Sequence, residues 1–160
     1  MADLKLSEEL PLNEHTKMNV RRIKGNLRYV GYGATATFSL SGGNWNTADF
    51  NVKTIIDSNY LGTGATSGRF KVLKSGKYFF VWQCRAKDST ASQGVGIWLQ
   101  STGAVDNMLL AWGGGKYRDT IQGMYFWDVE AGDEIKVKGI SNDNITCNSV
   151  RVWIFAVVGL

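Results

Sequence analysis

Few residues of this 160-residue sequence have the chemistry of a catalytic or metal site. The single histidine, His15, lies in a polar N-terminal stretch, so a Ser-His-Asp triad or a histidine-rich metal site lacks material in the rest of the chain. Residues 113–115 are three glycines without the GxxxxGK[ST] pattern of a phosphate loop. The loop around Asp143 offers only one carboxylate for calcium. We therefore expect no enzyme activity, no metal and no cofactor.

Aromatic residues near turns are better candidates for a functional role. Exposed aromatic rings on the loops of a rigid scaffold suit the flat faces of sugars or act as anchors for a protein partner. The alternative is that each ring packs over the end of the domain and has no ligand. The candidates for ligand-binding loops are Trp45, Tyr60, Trp112 and Tyr117.

Length and charge limit the class of protein. The chain fits one domain, and its net charge of +4 is spread out instead of forming the basic stripe of a nucleic-acid-binding protein. No apolar signal region follows Met1, and no apolar run has the length of a membrane span. We expect folding in a cytoplasm with Cys84 and Cys147 reduced, although the sequence leaves a disulfide between them open.

The elements that would position these residues are predicted to be strands. Nineteen glycines, one proline and 12% aromatic residues favour an all-β domain with many glycine turns. Roughly nine apolar or alternating segments separated by turns predict an antiparallel β-sandwich or jelly roll.

The stretch GRFKVLKSGKYFFVWQC, residues 68–84, is the strongest of these segments. Its second half predicts a long strand that is apolar on both faces, with Tyr78, Phe80 and Trp82 on one face and Phe79 and Val81 on the other. Antiparallel strands normally have one polar face. Such a strand is covered on both sides, either by two sheets or by one sheet and a neighbouring subunit, and the sequence leaves both possibilities open.

Residues 1–33 differ from the rest and are interpreted as an N-terminal arm that precedes a domain of residues 34–160. Apolar residues recur in the arm beside a basic segment, and a segment of this kind can order by docking on a partner. The alternative is a frayed tail followed by one edge strand. The residues expected to anchor the arm are Leu4, Leu6, Leu10, Leu12, Val20, Arg21, Arg22 and Ile23.

From residue 34 onwards the sequence resembles the complement C1q head and tumour necrosis factor superfamily. The resemblance rests on ordered landmarks: ATATFSL, GRFKVLKSGKYFFVWQC, GVGIWLQ, GMYFWDVEAGDEIKVKG and the closing VRVWIFAVVGL. It implies a ten-stranded C1q/TNF-like jelly roll that forms a tight trimer without catalysis. It also implies that the strand at 78–84 lies at or near the trimer axis. The expected interface residues are Tyr78, Phe80, Trp82, Trp153 and Phe155.

The arm and the missing secretory signal distinguish this chain from secreted members of that superfamily. Similar knobs occur on bacteriophage virions as head fibres, decoration proteins and receptor-binding tips. By this analogy we expect a non-enzymatic homotrimer on the virion surface, attached through its arm to a capsid or other virion protein. The alternative is a head that binds a host receptor or glycan.

Overall fold

The computed structural model describes residues 26–65, 68–87, 93–100, 106–113 and 120–158, and within them the side chains of 86–87, 93 and 106–113 are not described. These residues form twelve strands and no helix. The first sheet contains β1 (Asn26–Thr35), β2 (Phe38–Leu40), β4 (Val52–Ile55), β7 (Gly76–Lys87), β10 (Thr120–Val129) and β12 (Ile145–Val158). The second sheet contains β3 (Asn46–Ala48), β5 (Leu61–Thr63), β6 (Phe70–Val72), β8 (Gln93–Gln100), β9 (Asp106–Gly113) and β11 (Glu134–Ser141).

Every pairing between these strands is antiparallel. The first sheet has the order β10-β7-β12-β1-β4, with β2 beside β12, and the second has the order β5-β6-β11-β8-β9, with β3 beside β11. One buried cluster takes side chains from both sheets, such as Phe80 from the first and Ile97 from the second. The two sheets therefore pack face to face, and the prediction of an all-β antiparallel sandwich is confirmed.

The long strand predicted at residues 78–84 is β7. It has β10 on one side and β12 on the other, so both of its edges are hydrogen-bonded. Successive side chains of a strand point to opposite faces. Tyr78, Phe80 and Trp82 accordingly belong to the cluster between the sheets, whereas Phe79 and Val81 belong to a separate apolar cluster.

The boundary predicted between residues 33 and 34 is wrong, because it falls inside β1. This strand lies between β12 and β4, and its pairing with β12 runs from Asn26 opposite Val158 to Thr35 opposite Val150. Residues 26–33 thus belong to the domain. Only residues 1–25 of the proposed arm precede it, and all eight predicted anchoring residues lie there, outside the described residues.

Gly31 and Gly33 lie inside β1, at positions where side chains from other parts of the domain come close to the backbone. A Cβ atom on Gly31 would lie 2.6 Å from Cδ1 of Leu61, and one on Gly33 would lie 2.6 Å from Cδ1 of Phe50. Glycine within a strand often marks such a close approach. The two positions admit the side chains of Leu61 and Phe50 into the core.

Candidate functional site

The first sheet carries a second apolar layer on the side that faces away from the sandwich. Its members come from four adjacent strands, β10, β7, β12 and β1. We call it the aromatic face, and it consists of Leu27, Tyr29, Phe79, Val81, Met124, Phe126, Trp153, Phe155 and Val157. Strand register aligns these residues, since Phe79 lies opposite Phe126 on one side and Phe155 on the other.

Ring packing makes the aromatic face a continuous layer. Phe79 stacks on Phe126 with ring centroids 4.3 Å apart, and the centroids of Tyr29 and Phe155 are 5.2 Å apart. Phe79 and Phe155 are almost fully buried by their neighbours, whereas Val81, Phe126 and Trp153 stay half-buried. Among the described residues, no element covers this layer. Large contiguous apolar patches of this kind mark interaction sites.

Three of the five residues predicted for a subunit interface do not lie on this face. Tyr78, Phe80 and Trp82 are at most 2% exposed and form part of the core between the sheets, so they cannot reach a second copy. The sequence interpretation chose the wrong face of β7, because both of its faces are apolar. The other two residues, Trp153 and Phe155, lie on the aromatic face.

The same side of the sheet becomes polar toward one end. Continuing in steps of two along β7 and β12 from Val81 and Trp153, the outward side chains are Gln83 and Arg85 on one strand and Arg151 and Ser149 on the other. With Thr120 of β10, these four residues line a depression of about 280 Å³. We call it the arginine pocket, and it adjoins the aromatic face directly.

The loop between β4 and β5 contains the buried carboxylate of Asp57. Nε of Arg28 lies 2.5 Å from this carboxylate, and the backbone and side-chain nitrogens of Asn59 each donate to it at 3.0 Å. Burial raises the pKa of Asp57, but the hydrogen bonds from Asn59 and the charge of Arg28 outweigh burial and hold this pKa below its usual value. Since Arg28 is in β1, the ion pair fastens that strand to the loop.

We expect Asp57→Asn to lower the free energy of unfolding at pH 7 by about 1.5–3 kcal/mol, the usual contribution of hydrogen bonds to a charged group. A depressed pKa contributes stability above the unfolded-state pKa, about 3.9, and loses it as pH falls through the folded-state value. The difference between the two proteins should therefore shrink below pH 4 in urea titrations. Asp128→Asn is the control, because its ion pair with Lys77 is exposed. An equal difference at pH 7 and pH 3 would contradict this account.

Tyr60, one of the predicted ligand-binding residues, is buried in the core. Its ring packs edge-on against Tyr78, with Arg28 and Lys74 5.5 Å and 5.0 Å from its centroid. Its assignment to a ligand loop is therefore wrong, because its backbone lies in a loop while its ring turns inward. A ring that is only 8% exposed leaves no open face for a sugar.

Trp45 keeps the exposure expected of a ligand-binding residue. Its ring is 41% exposed and meets Trp98 edge-on, with centroids 5.5 Å apart. The ammonium group of Lys138 lies 3.6 Å from the centroid of Trp98. These residues lie at the second sheet, away from the aromatic face. The side chain of Trp112, whose backbone is in β9, and all of Tyr117 lie outside the described residues.

Cys84 and Cys147 are free, fully buried thiols. A hydrogen bond with Cys147, together with burial, raises the pKa of Cys84. A thiol reacts as its thiolate and only where reagent can reach it. We expect both thiols to react with an aromatic disulfide reagent at pH 8 at least about a hundredfold more slowly in the folded protein than in urea. Rapid modification of either thiol without unfolding would contradict this burial.

The described side chains include no group of three or more histidine, cysteine, aspartate or glutamate residues that could hold a metal ion. In the same part of the chain, no helix is present that could cross a membrane.

The sequence interpretation missed several members of the aromatic face, among them Tyr29, Phe79 and Phe126. The available signal was the alternation along β7, which separates Phe79 and Val81 from the inward residues. It also missed Arg85 and Arg151, whose only signal is that they continue the same alternation. Sequence periodicity identifies two faces but does not say which one is covered by the second sheet.

Comparison with known proteins identifies the fold. A scan against protein-family models finds no match, and a sequence search of curated proteins finds none either. Solved structures do match. The globular domain of zebrafish complement 1qA protein shares 12% sequence identity with a TM-score of 0.57, and the match covers 82% of this chain and 98% of that one.

Two tumour necrosis factor-like structures match similarly. Murine APRIL shares 12% identity with a TM-score of 0.62, covering 82% of this chain and 99% of that one. Eiger TNF from S. frugiperda shares 11% identity with a TM-score of 0.61, covering 86% and 96%. Identities this low concern the fold alone. Together with the two antiparallel sheets, they show that this chain has the jelly-roll fold of C1q and TNF-like domains.

Proposed function

We propose that this protein is a non-enzymatic homotrimer whose subunits meet through the aromatic face. The observation that carries the proposal is the second apolar layer on the first sheet, which no described element of the same chain covers. A single subunit would leave Val81, Phe126 and Trp153 partly in water. Packing this layer against two other copies would remove it from water at about 25 cal/mol per Å² of apolar surface.

The number of copies follows from the resemblance to the C1q and TNF superfamily, which implies a trimer. A closed ring of identical subunits also avoids the open-ended assembly that head-to-tail contacts otherwise produce. Light scattering at micromolar concentration should give about three times the 17.7 kDa chain mass. A chain-sized mass under these conditions would overturn the proposal.

We further propose that the trimer is a structural knob, a head fibre or capsid decoration protein on a phage-like virion. What supports this is the segment of residues 1–25, with recurring leucines and adjacent basic residues, ahead of a domain that offers no metal-binding cluster among its described residues. A trimer would carry three such segments. Once one segment has docked on the particle, the effective concentration of the other two is high, so the overall affinity exceeds that of a single segment.

Co-sedimentation with purified virions tests this role. The full chain should pellet with particles, and a chain beginning at Asn26 should fold, form trimers and remain in the supernatant. Pelleting of both chains would place attachment in the domain. Failure of both would overturn the virion role without affecting the trimer.

A receptor- or glycan-binding head is the second candidate, and one observation favours it. Trp45 exposes a ring face beside Trp98 at the surface of the second sheet, which stays free when the aromatic face packs. Aromatic rings stack on the apolar faces of sugars. A glycan array probed with the trimer, and with Trp45→Ala as a control, tests this candidate. Binding that needs Trp45 would support it, and an absence of hits would leave the purely structural role.

A further inference from the structure

Among the described residues, no acidic side chain neutralises the charge of the arginine pocket. Arg85 and Arg151 are exposed on neighbouring strands, and the other lining residues, Gln83, Thr120 and Ser149, are uncharged. Among the described side chains, the ion pairs involve Arg28, Arg69 and Lys77 but neither pocket arginine. No described carboxylate lines the depression.

The lining suits an oxyanion. A guanidinium group presents several donors in a planar fork that matches the oxygens of phosphate or sulfate. The hydroxyls of Ser149 and Thr120 and the amide of Gln83 add neutral donors around the same depression. Register supports a shared site, because Gln83 lies opposite Arg151 and Arg85 lies opposite both Ser149 and Thr120.

Formation of the trimer proposed above, on which this inference rests, would raise the electrostatic free energy of these arginines. The pocket continues the aromatic face along β7 and β12, so packing of that face brings three copies of the pocket toward one another. Six guanidinium groups would then share a region with less water. Like charges repel more strongly as water is removed, and a buried charge needs a partner.

We propose that the three arginine pockets of a trimer together bind one tetrahedral oxyanion of the phosphate or sulfate type. The anion offsets the repulsion among the arginines, and each subunit supplies Arg85 and Arg151 to it. A single subunit holds only part of the site. The ligand is therefore a link between subunits, and its binding and the assembly of the trimer reinforce each other.

Titration of the trimer with sodium phosphate tests the site, with sodium sulfate and sodium chloride at equal ionic strength as separate arms. Calorimetry should give one phosphate or sulfate per three chains. At a hundredfold excess over Kd, the melting temperature should rise by about 2–3 °C above that in chloride, a modest shift because one anion stabilises three chains together. Light scattering accompanies each titration.

Arg151→Gln sharpens the test because its two effects have opposite signs. Without phosphate, the variant trimer should melt at a higher temperature than the parent, since three repelling charges are gone. Its phosphate affinity should fall about tenfold or more, because three charge-assisted contacts are lost. Lys71→Gln removes one charge per chain from an exposed site on the second sheet and should leave phosphate binding unchanged.

The outcomes separate the two proposals. A trimer that responds equally to phosphate, sulfate and chloride, or that binds one anion per chain, overturns the shared site and leaves the trimer intact. An Arg151→Gln trimer with unchanged phosphate affinity overturns it as well. A monomer mass in every arm overturns both proposals. One anion per trimer, lost in Arg151→Gln and kept in Lys71→Gln, supports the site.

Discussion

A chain that begins at Ala34 should fail to fold, whereas a chain that begins at Asn26 should fold like the full protein. Removal of residues 26–33 takes away most of β1, the strand between β12 and β4. The loss includes the buried side chains of Leu27 and Val30, each worth about 1.5–3 kcal/mol. It also removes the ladder on both sides and the ion pair of Arg28 with Asp57.

The summed loss from this truncation reaches the whole stability of a typical domain, about 5–15 kcal/mol. Circular dichroism and thermal melting of the two shortened chains measure the effect. The chain beginning at Ala34 should show no cooperative transition. A cooperative melt at the temperature of the full chain would mean that β1 is dispensable, and it would restore residues 26–33 to the arm.

Trp153→Glu should convert the trimer to monomers while leaving the subunit folded. Trp153 lies on the aromatic face, with its ring centroid 5.9 Å from that of Tyr32, and tryptophan is among the residues that dominate interface energies. A carboxylate there would be buried against two other subunits without a partner. We expect the variant trimer to dissociate at concentrations at least about a thousandfold higher than the parent trimer. This corresponds to a loss of some 4 kcal/mol of association free energy.

The matched control is Trp45→Glu, the same change on the second sheet. Sedimentation should show a trimer for this control and a monomer for Trp153→Glu, with circular dichroism showing the strand content of both. A folded Trp153→Glu trimer would show that the aromatic face is not the subunit interface. An unfolded variant would call for Val81→Glu, which introduces the same charge at a smaller half-buried residue of that face.

The fold class could be predicted because its signals are local. Strand β11 alternates polar and apolar residues from Glu134 to Lys138, and glycine turns separate the segments. The interpretation of β1 failed because its decisive contacts are distant in sequence. The side chains that pack against Gly31 and Gly33 of β1 belong to Leu61 and Phe50, which come later in the chain.

The candidate interface could be predicted only in part, for a related reason. β7 is apolar on both faces, so its sequence predicts that both faces are covered. It does not say which face packs against the second sheet and which is open to another subunit. Only the position of the second sheet decides that Phe80 faces the core and Phe79 faces outward. Burial of a loop residue is equally non-local: Tyr60 is inside because Tyr78, Arg28 and Lys74 surround it.

The central position of β12 has a consequence for the order in which the protein is made. It lies between β7 and β1, and it follows every other described strand in the sequence. Until β12 has been synthesised, the pair β7–β10 and the pair β1–β4 are therefore not joined into one sheet. The edges of β7 and β1 that later bind β12 are unpaired during this time. Asn26 can pair with Val158 only after all twelve described strands have been synthesised. Such long-range pairing folds slowly and leaves strand edges unpaired meanwhile, so we expect the nascent chain to be prone to aggregation until β12 has been made.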